Sequence, residues 1–469
     1  MGTYPIRSVS GGVALAACAV LTMTTAAAAT PIHDASSPHT IPPHARLYTP
    51  PPDKGAIKQI TDLLKARDVR DARLIAEMIS TPQAVWFTGG TPDQVRRDVH
   101  RVVTKAAAHH AIPVLVAYNI PFRDCSQYSA GGAVDTAAYE AWIDGFAAGI
   151  GDKRAIVLLE PDSLGIIPYN TDINGNAEWC KPDLSGTGLT PDEANQARYD
   201  QLNYAVDALE AHRNVSVYLD GTHSGWLGVG DIAQRLVRAG VQRAQGFFVN
   251  VSNYQTTERQ IKYGTWISEC IAFANDPEEG GWRLGHYSWC ASQYYPANPN
   301  DFSTWVQTDQ WYASNLGTAV PTTHFVIDTS RNGRGPNDMT AYAAAPYNQP
   351  ASVISALQGG SWCNPPGRGL GLRPTVNTGV PLLDAYLWVK IPGESDGQCD
   401  AAGGARAWDY SAYTEPGWPT DPSQQALFDP LWGLYDPPAG QWFPQQALQL
   451  AQLAVPPLQP QWPVPPVHH

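Results

Sequence analysis

Seven short apolar runs punctuate the chain: Ala84–Phe87, Ile112–Tyr118, Ala155–Leu159, Val215–Leu219, Gly246–Val249, His324–Ile327 and Ala385–Val389. Each is continuous and not alternating. That is the pattern of a strand buried on both faces, and it predicts a parallel sheet. Amphipathic helical segments precede several runs. The clearest are Thr91–Ala108 and Pro191–His212, each entered through Thr-Pro-Asp, where threonine can cap and proline fits the first turn. Seven strands alternating with helices point to a β/α barrel or a doubly wound sheet.

Each run ends in a polar or small cluster: Thr88–Gly90, Asn119–Asp124, Glu160–Asp162, Asp220–His223, Asn250–Asn253, Asp328–Arg331 and Lys390–Asp396. Parallel β/α folds place their sites at the carboxyl ends of strands. One such cluster reads as a solvated loop, but seven at the same topological position read as a site. Carboxylates dominate it: Asp124, Glu160, Asp162, Asp220, Asp328, Glu394 and Asp396. Crowded carboxylates do not all ionise, so one is expected to keep its proton near neutral pH. A general acid beside general bases is the arrangement that breaks an acetal.

The rival use of these groups is metal binding. His223 is the only histidine in the clusters apart from His324 at a strand start, too few nitrogens for a catalytic zinc. A carboxylate-only calcium or magnesium site is the alternative, and the expectation is no metal and no cofactor. In Gly221-Thr-His-Ser-Gly225 the serine sits one place off the G-x-S-x-G elbow, which speaks against a serine esterase. Dinucleotide and phosphate-loop fingerprints are absent.

Composition narrows the partners. Only 16% of the 469 residues are charged, against about 25% usually, so the surface is polar mainly through amides, hydroxyls and aromatics. The net charge of −13 comes without basic runs. Nucleic acid and anionic membranes, which need clustered Lys and Arg, are therefore not expected partners. Trp (16) and Tyr (21) outnumber Phe (10). Their flat apolar faces with polar edges suit polar ligands such as sugars, and equally suit a core.

Residues 1–30 carry Arg7, an apolar stretch and a run of small residues to Thr30, which reads as a signal peptide for secretion. Leu15-Ala-Ala-Cys18 offers the alternative of a lipoprotein anchored at Cys18. Six further cysteines, Cys125, Cys180, Cys270, Cys290, Cys363 and Cys399, suggest three disulfides in an exported protein. Many connectivities are open, and pairing in sequential order is the working expectation. Residues 31–58 read as a Pro-rich leader, 59–455 as a single catalytic domain and 456–469 as a Pro-rich tail.

At these clusters the sequence resembles glycoside hydrolase family 6, the inverting cellulases. The matching segments are Tyr118–Cys125, Leu159–Leu164, Tyr218–Trp226, Asn250–Tyr254, Asp328–Gly333, Trp362–Arg368 and Trp388–Gly397, in the family's order. The resemblance implies a distorted seven-stranded parallel β/α barrel, TIM-barrel-like, with long loops over the active-site face. It implies that the partner is cellulose or a soluble β-1,4-glucan, and a monomer is expected. It implies Asp162 as general acid and Asp124 as the partner that keeps Asp162 protonated and steadies charge on the sugar. Asp396 matches the putative base, acting on water directly or through further waters. Asp220 matches an electrostatic support, although it could equally cap a strand end and position His223.

For substrate, the resemblance implies Trp86, Trp226 and Trp362 as stacking platforms and Tyr118 beside the ring at the cleavage point. Lys390 and Glu394 would bind hydroxyls on the glycone side, and His223 on the aglycone side. Asn253 lies in a matching segment and is a further candidate. Glu160 could be only a structural hydrogen-bond partner, and Asp328 with Arg331 could form a buried ion pair. Cys125–Cys180 and Cys363–Cys399 resemble the family's two loop-bracing disulfides, and Cys270–Cys290 would be an extra one. Long segments at 166–192, 261–319 and 400–441 could roof the site for chain-end cleavage or leave a cleft for internal cleavage. Internal cleavage is the expectation, cellobiose release from chain ends the alternative. A non-catalytic glucan-binding protein is the reading from another class.

Overall fold

The computed structural model describes residues 40–277 and 281–459. The expected signal peptide, Cys18, the first part of the leader and most of the tail lie outside the described residues.

Strands β1 (Val85–Phe87), β2 (Val114–Ala117), β3 (Ala155–Leu159), β4 (Val215–Asp220), β5 (Gly246–Val249), β6 (His324–Asp328) and β7 (Leu383–Leu387) form one sheet, ordered as in the chain. Every neighbouring pair is parallel. A doubly wound sheet reverses its strand order partway, and this one does not. The sheet curls into an open barrel. Among the described residues no ladder joins β7 to β1. The gap is spanned by Ala84 N donating to Trp388 O (2.9 Å) and Trp86 Nε1 to Val389 O (2.8 Å).

The helices are α1 (Lys54–Lys65), α2 (Val69–Ile79), α3 (Pro92–Ala108), α4 (Thr136–Ile150), α5 (Pro191–Glu210), α6 (Val229–Arg238), α7 (Thr257–Asn275), α8 (Val306–Asn315), α9 (Ala351–Gly359), α10 (Pro422–Gln425) and α11 (Pro444–Gln452). The two Thr-Pro-Asp signals mark α3 and α5. Both start with a reciprocal capping box, Thr91 with Gln94 and Thr190 with Glu193, which satisfies amides that have no partner inside the helix.

The strands are apolar throughout because both faces are covered. Leu115, Ala117, Val157, Leu159, Val217, Leu219 and Phe247 face outward into a core shared with helices α3 to α7. Val114, Val116, Ile156, Leu158, Tyr218, Phe248, Val326 and Leu387 fill the barrel interior. Burying each such side chain contributes roughly 1.5–3 kcal/mol. The frame beneath the loops is therefore rigid.

A third apolar cluster joins α2, α11 and Trp388, and Leu458 is buried in it. Helix α1 begins at Lys54, inside the Pro-rich stretch. The segment 261–319 is only partly loop, since its first residues continue α7 and Val306–Asn315 is α8. The disulfides are Cys125–Cys180, Cys270–Cys290 and Cys363–Cys399.

Candidate active site

The chain turns sharply as it leaves the strands. Phe122, Asp124, Cys125 and Ser126 after β2, Glu160 and Asp162 after β3, Thr222 after β4, and Asn250 and Ser252 after β5 all have left-handed φ without being glycine. Such residues are uncommon, and they cluster where surrounding structure over-determines them. Here the over-determination comes from buried side chains that grip the loop backbones.

Glu160 is fully buried, and its carboxylate accepts from Asn119 N (3.0 and 2.8 Å) and Ile120 N (3.0 Å). It thus fixes the start of the loop that carries Asp124. Burial pushes its carboxyl up to about 7, against the pull of those amides. Asp124 is half-buried and accepts from Ser129 N (2.6 Å). Burial raises it to about 6, with the Ser129 amide and Arg123 opposing. The Cys125–Cys180 bridge ties this loop to the 166–192 segment.

Asp162 rides on a turn that is clamped from three directions. Arg198 of α5 donates Nη1 to Ser163 O (3.0 Å) and Ile166 O (3.1 Å). Arg235 of α6 donates to Leu164 O (2.9 Å). Asp220 accepts from Leu164 N (3.2 Å), Gly165 N (3.4 Å) and Thr222 N (2.9 Å). Asp220 therefore holds the turn as well as adding charge beside it. Among the described residues the Asp162 side chain meets no hydrogen-bond donor. Its pKa stands well above the ordinary carboxylate range through burial first, then through the charges of Asp220, Asp124 and Asp396. Asp220 keeps three amide donors for its anion, so of this coupled pair Asp162 is the one that holds the proton.

Asp396 has the opposite setting. Its Oδ2 accepts from Arg331 Nη1 (2.8 Å), Asn364 N (3.0 Å) and Tyr254 Oη (3.4 Å), and Lys390 Nζ lies 3.5 Å from Oδ1. Burial opposes ionisation, but Arg331 and Lys390 outweigh it and hold the carboxyl below its usual range. Arg331 thus pairs with Asp396 and not with Asp328. Asp328 is spent on backbone, accepting from Ser330 N, Val389 N, Ser252 N and Lys390 N, which ties the ends of β5, β6 and β7 together.

The remaining candidates surround these acids. Tyr118 packs edge-on to Trp86 (5.4 Å) beneath Arg123, and the charges of Asp162 and Asp124 add to burial in holding its hydroxyl neutral. His223 Nδ1 accepts from Gly225 N (3.1 Å), which leaves Nε2–H as the donor of a neutral ring, and burial lowers its pKa to about 4. Its ring leans on Trp226 (5.8 Å), which packs on the Cys125–Cys180 bridge. Trp362 packs beside Cys363–Cys399 and Tyr128. Asn253 uses its Oδ1 to accept from Tyr254 N (2.9 Å). Glu394 is half-buried and raised to about 7 by burial, with Lys390 opposing.

Sequence reasoning missed the supports: Arg198, Arg235, Tyr254 as a ligand of Asp396, and Asn364. The arginines lie on helices, away from strand ends. The one available signal was Asp231 with Arg235, four apart on α6 and paired at 2.7 Å. Among the described residues no group of three His, Cys, Asp or Glu side chains is placed to hold a metal ion.

The family described as glycosyl hydrolases family 6 matches residues 43–454. Endoglucanase 1 of Streptomyces sp. (strain KSM-9) is 35% identical over 337 residues, covering 71% of this chain and 69% of that protein. Endoglucanase A of Thermobispora bispora is 29% identical, covering 84% of this chain and 66% of that one. The chain thus spans about two thirds of the length of each. Among solved structures, the endoglucanase Cel6 of Mycobacterium tuberculosis, in complex with a thio-linked cello-oligosaccharide, superposes with a TM-score of 0.55 at 30% identity, covering 89% of this chain and 99% of that one. Cellobiohydrolase II of Humicola insolens shares the fold, with a TM-score of 0.56 at 20% identity, covering 90% of this chain and all of that one.

Proposed function

This chain belongs to glycosyl hydrolases family 6, and from that membership we propose that it is a cellulase cutting β-1,4-glucosidic bonds by single displacement with inversion. The observation that carries the mechanism is the contrast between Asp162, half-buried and without a donor to its side chain among the described residues, and Asp396, ringed by Arg331, Lys390, Tyr254 and the Asn364 amide. Asp162 gives its proton to the glycosidic oxygen as the C1–O bond breaks. A water attacks C1 from the opposite face, and its proton passes to the Asp396 carboxylate, so that Asp162 ends ionised and Asp396 protonated before both exchange with solvent. Asp396 is the ionised carboxylate for that step. Two cations reduce its basicity, and the proton reaches it directly or through intervening water.

Asp124 supplies the negative charge that keeps Asp162 protonated and then steadies the developing positive charge on the sugar. Tyr118 and Trp86 face the ring at the cleavage point. His223 Nε2–H and the Trp226 face receive the leaving chain, and Trp362, Asn253, Lys390 and Glu394 hold the glycone side. Internal cleavage is the reading favoured, on the endoglucanase name of the relative at 35% identity, and chain-end cleavage is the alternative, because relatives at 30–31% identity are named probable cellobiohydrolases. Export through residues 1–30 rests on the sequence alone, and the enzyme is read as acting as a monomer.

The test uses the mature protein on a soluble cellulose derivative, following viscosity against new reducing ends. Steep viscosity loss at few new ends supports internal cleavage. Slow loss with accumulating cellobiose makes the enzyme a cellobiohydrolase. Absence of new ends leaves a glucan-binding protein.

A further inference from the structure

Behind Asp396, the 400–441 segment contributes a buried acidic pair with no role in the mechanism above. Asp429 and Asp436 are 0% and 4% exposed. Asp429 Oδ1 accepts from Arg406 Nε (3.2 Å) and Leu431 N (2.8 Å). Asp436 Oδ2 accepts from Asn364 Nδ2 (2.8 Å). The other oxygen of each, Asp429 Oδ2 and Asp436 Oδ1, is buried and meets no donor among the described residues. Two buried acceptors without a donor, on two interacting carboxyls, are both satisfied by one proton between them. Charge gives the same count. Arg406, 1% exposed, offsets one negative charge, and a second would stand uncompensated in the interior. Tyr342 and Tyr410 are the other titratable groups facing Asp429, and both are neutral phenols held up chiefly by burial.

Asn364 carries this pair to the active site. Its carboxamide brackets the whole tripeptide that bears Asp396. Asn364 Oδ1 accepts from Asp396 N (2.8 Å), and Nδ2 donates to Ser395 Oγ (2.9 Å) and Gly397 O (2.9 Å) as well as to Asp436. Its own amide donates to the Asp396 carboxylate, and its carbonyl accepts from Trp432 Nε1 (2.6 Å). With Gln446 Nε2 also on Oδ1 (3.0 Å), the side chain has one orientation only.

We infer that Asp429 and Asp436 share a single proton and that this pair, acting through Asn364, is a positioning device for Asp396. The assignment rests on the cellulase reading for its catalytic consequence but not for the proton itself. Asp436 stands at about 9, through burial and then the charge of Asp429, consistent with a retained proton. The 400–441 segment then serves the reaction from behind the active site, independently of whether it also roofs it.

The test compares D436N with D436A in the full chain. An amide at 436 reproduces the protonated acid: its oxygen accepts from Asn364 and its NH₂ donates to Asp429. D436N is expected to keep kcat within about twofold. D436A leaves Asp429 without the shared proton and removes the contact that fixes the outer edge of the Asn364 carboxamide, and it is expected to lose about tenfold in kcat, the effect of one such contact, with KM for glucan unchanged. A protonated-carboxyl band in the wild-type minus D436N infrared difference spectrum at neutral pH, in which the bands of Asp162, Glu160 and Glu394 cancel, reports the proton directly. Equal loss in both variants, or native kcat in D436A, overturns the positioning role. Absence of that band overturns the shared proton. Should D436A not fold, D436N and the infrared band still decide. A wild type without glucanase activity would fail the cellulase reading while the band remained informative.

Discussion

Arg331 Nη1 lies 2.8 Å from Asp396 Oδ2, and both side chains are almost completely buried. Lys390 is a second cation at 3.5 Å, and Arg331 also stacks over the Tyr254 ring at 4.4 Å. Removing the carboxylate leaves two buried cations around a neutral group, and breaking such a pair typically costs ~3–5 kcal/mol. D396N is therefore expected to lose stability by about that amount as well as activity. Urea unfolding of D396N beside the wild type checks this. A midpoint unchanged from wild type would mean that the pair is solvated in solution.

Asp162 gives the second prediction. As general acid it supplies about 10²–10⁴ in rate. D162A should lose that much kcat on unmodified cellulose while KM and glucan binding stay near native. The same variant should lose far less on a substrate with an acidic phenol as leaving group, which needs no protonation. Near-native turnover of cellulose by D162A would refute the assignment.

The acids also set a pH dependence of stability. Asp124 at about 6 and Glu160 and Glu394 at about 7 all lie above an unfolded value of roughly 4. A raised carboxyl makes the folded state bind more protons than the unfolded one. Its contribution is fully present below pH ~4 and is lost as pH rises through 6 to 7. Asp396 is lowered, so its contribution is present above pH ~4 and lost as pH falls below that. Together they place maximal stability on the acidic side of neutrality, between about pH 4 and 6. A Tm scan across pH 3–9 checks the placement, and a maximum at pH 8 would contradict it. His223, at about 4, remains neutral across most of that range.

What was legible in the sequence followed from local rules. Continuous apolar runs meant strands covered on both faces, and six of the seven observed strands start or end within one residue of the run predicted for them. That the strand-end carboxylates converge followed from strand polarity, and the choice of Asp124, Asp162, Asp220 and Asp396 among them followed from the family resemblance. The supports did not follow, because they act across the chain. Arg198 reaches residues 121, 163 and 166 from α5, and Asn364 joins residues 395–397 to Asp436. No periodicity marks a buried arginine that donates to loop carbonyls. The Asp328 and Arg331 pairing read from their proximity in sequence gave way to Arg331 with Asp396. Backbone amides from β5, β6 and β7 ends had already filled the Asp328 oxygens.

The disulfides separate stability from catalysis. Cys125 follows Asp124 directly, and its bridge to Cys180 closes a 55-residue separation beside Trp226. Cys270–Cys290 joins α7 to the loop behind α6, with a separation of 20. Each bridge removed by paired alanine substitution is expected to cost roughly 2–5 kcal/mol, more for the longer loop in the chain-entropy account. Their effects on turnover should differ. Without Cys125–Cys180 the left-handed turn at Phe122, Asp124, Cys125 and Ser126 loses its outer anchor, and the Ser129 amide and the half-buried Arg123 contacts are left to hold Asp124. That variant should lose kcat about tenfold or more at a temperature where it remains folded. The Cys270–Cys290 variant should keep kcat within about twofold under the same conditions, since Gln293 still ties that loop to Ser224 O and Leu227 O. Measuring kcat well below each Tm isolates the positional effect. Equal kcat in the two variants would show that Asp124 is held by its hydrogen bonds alone.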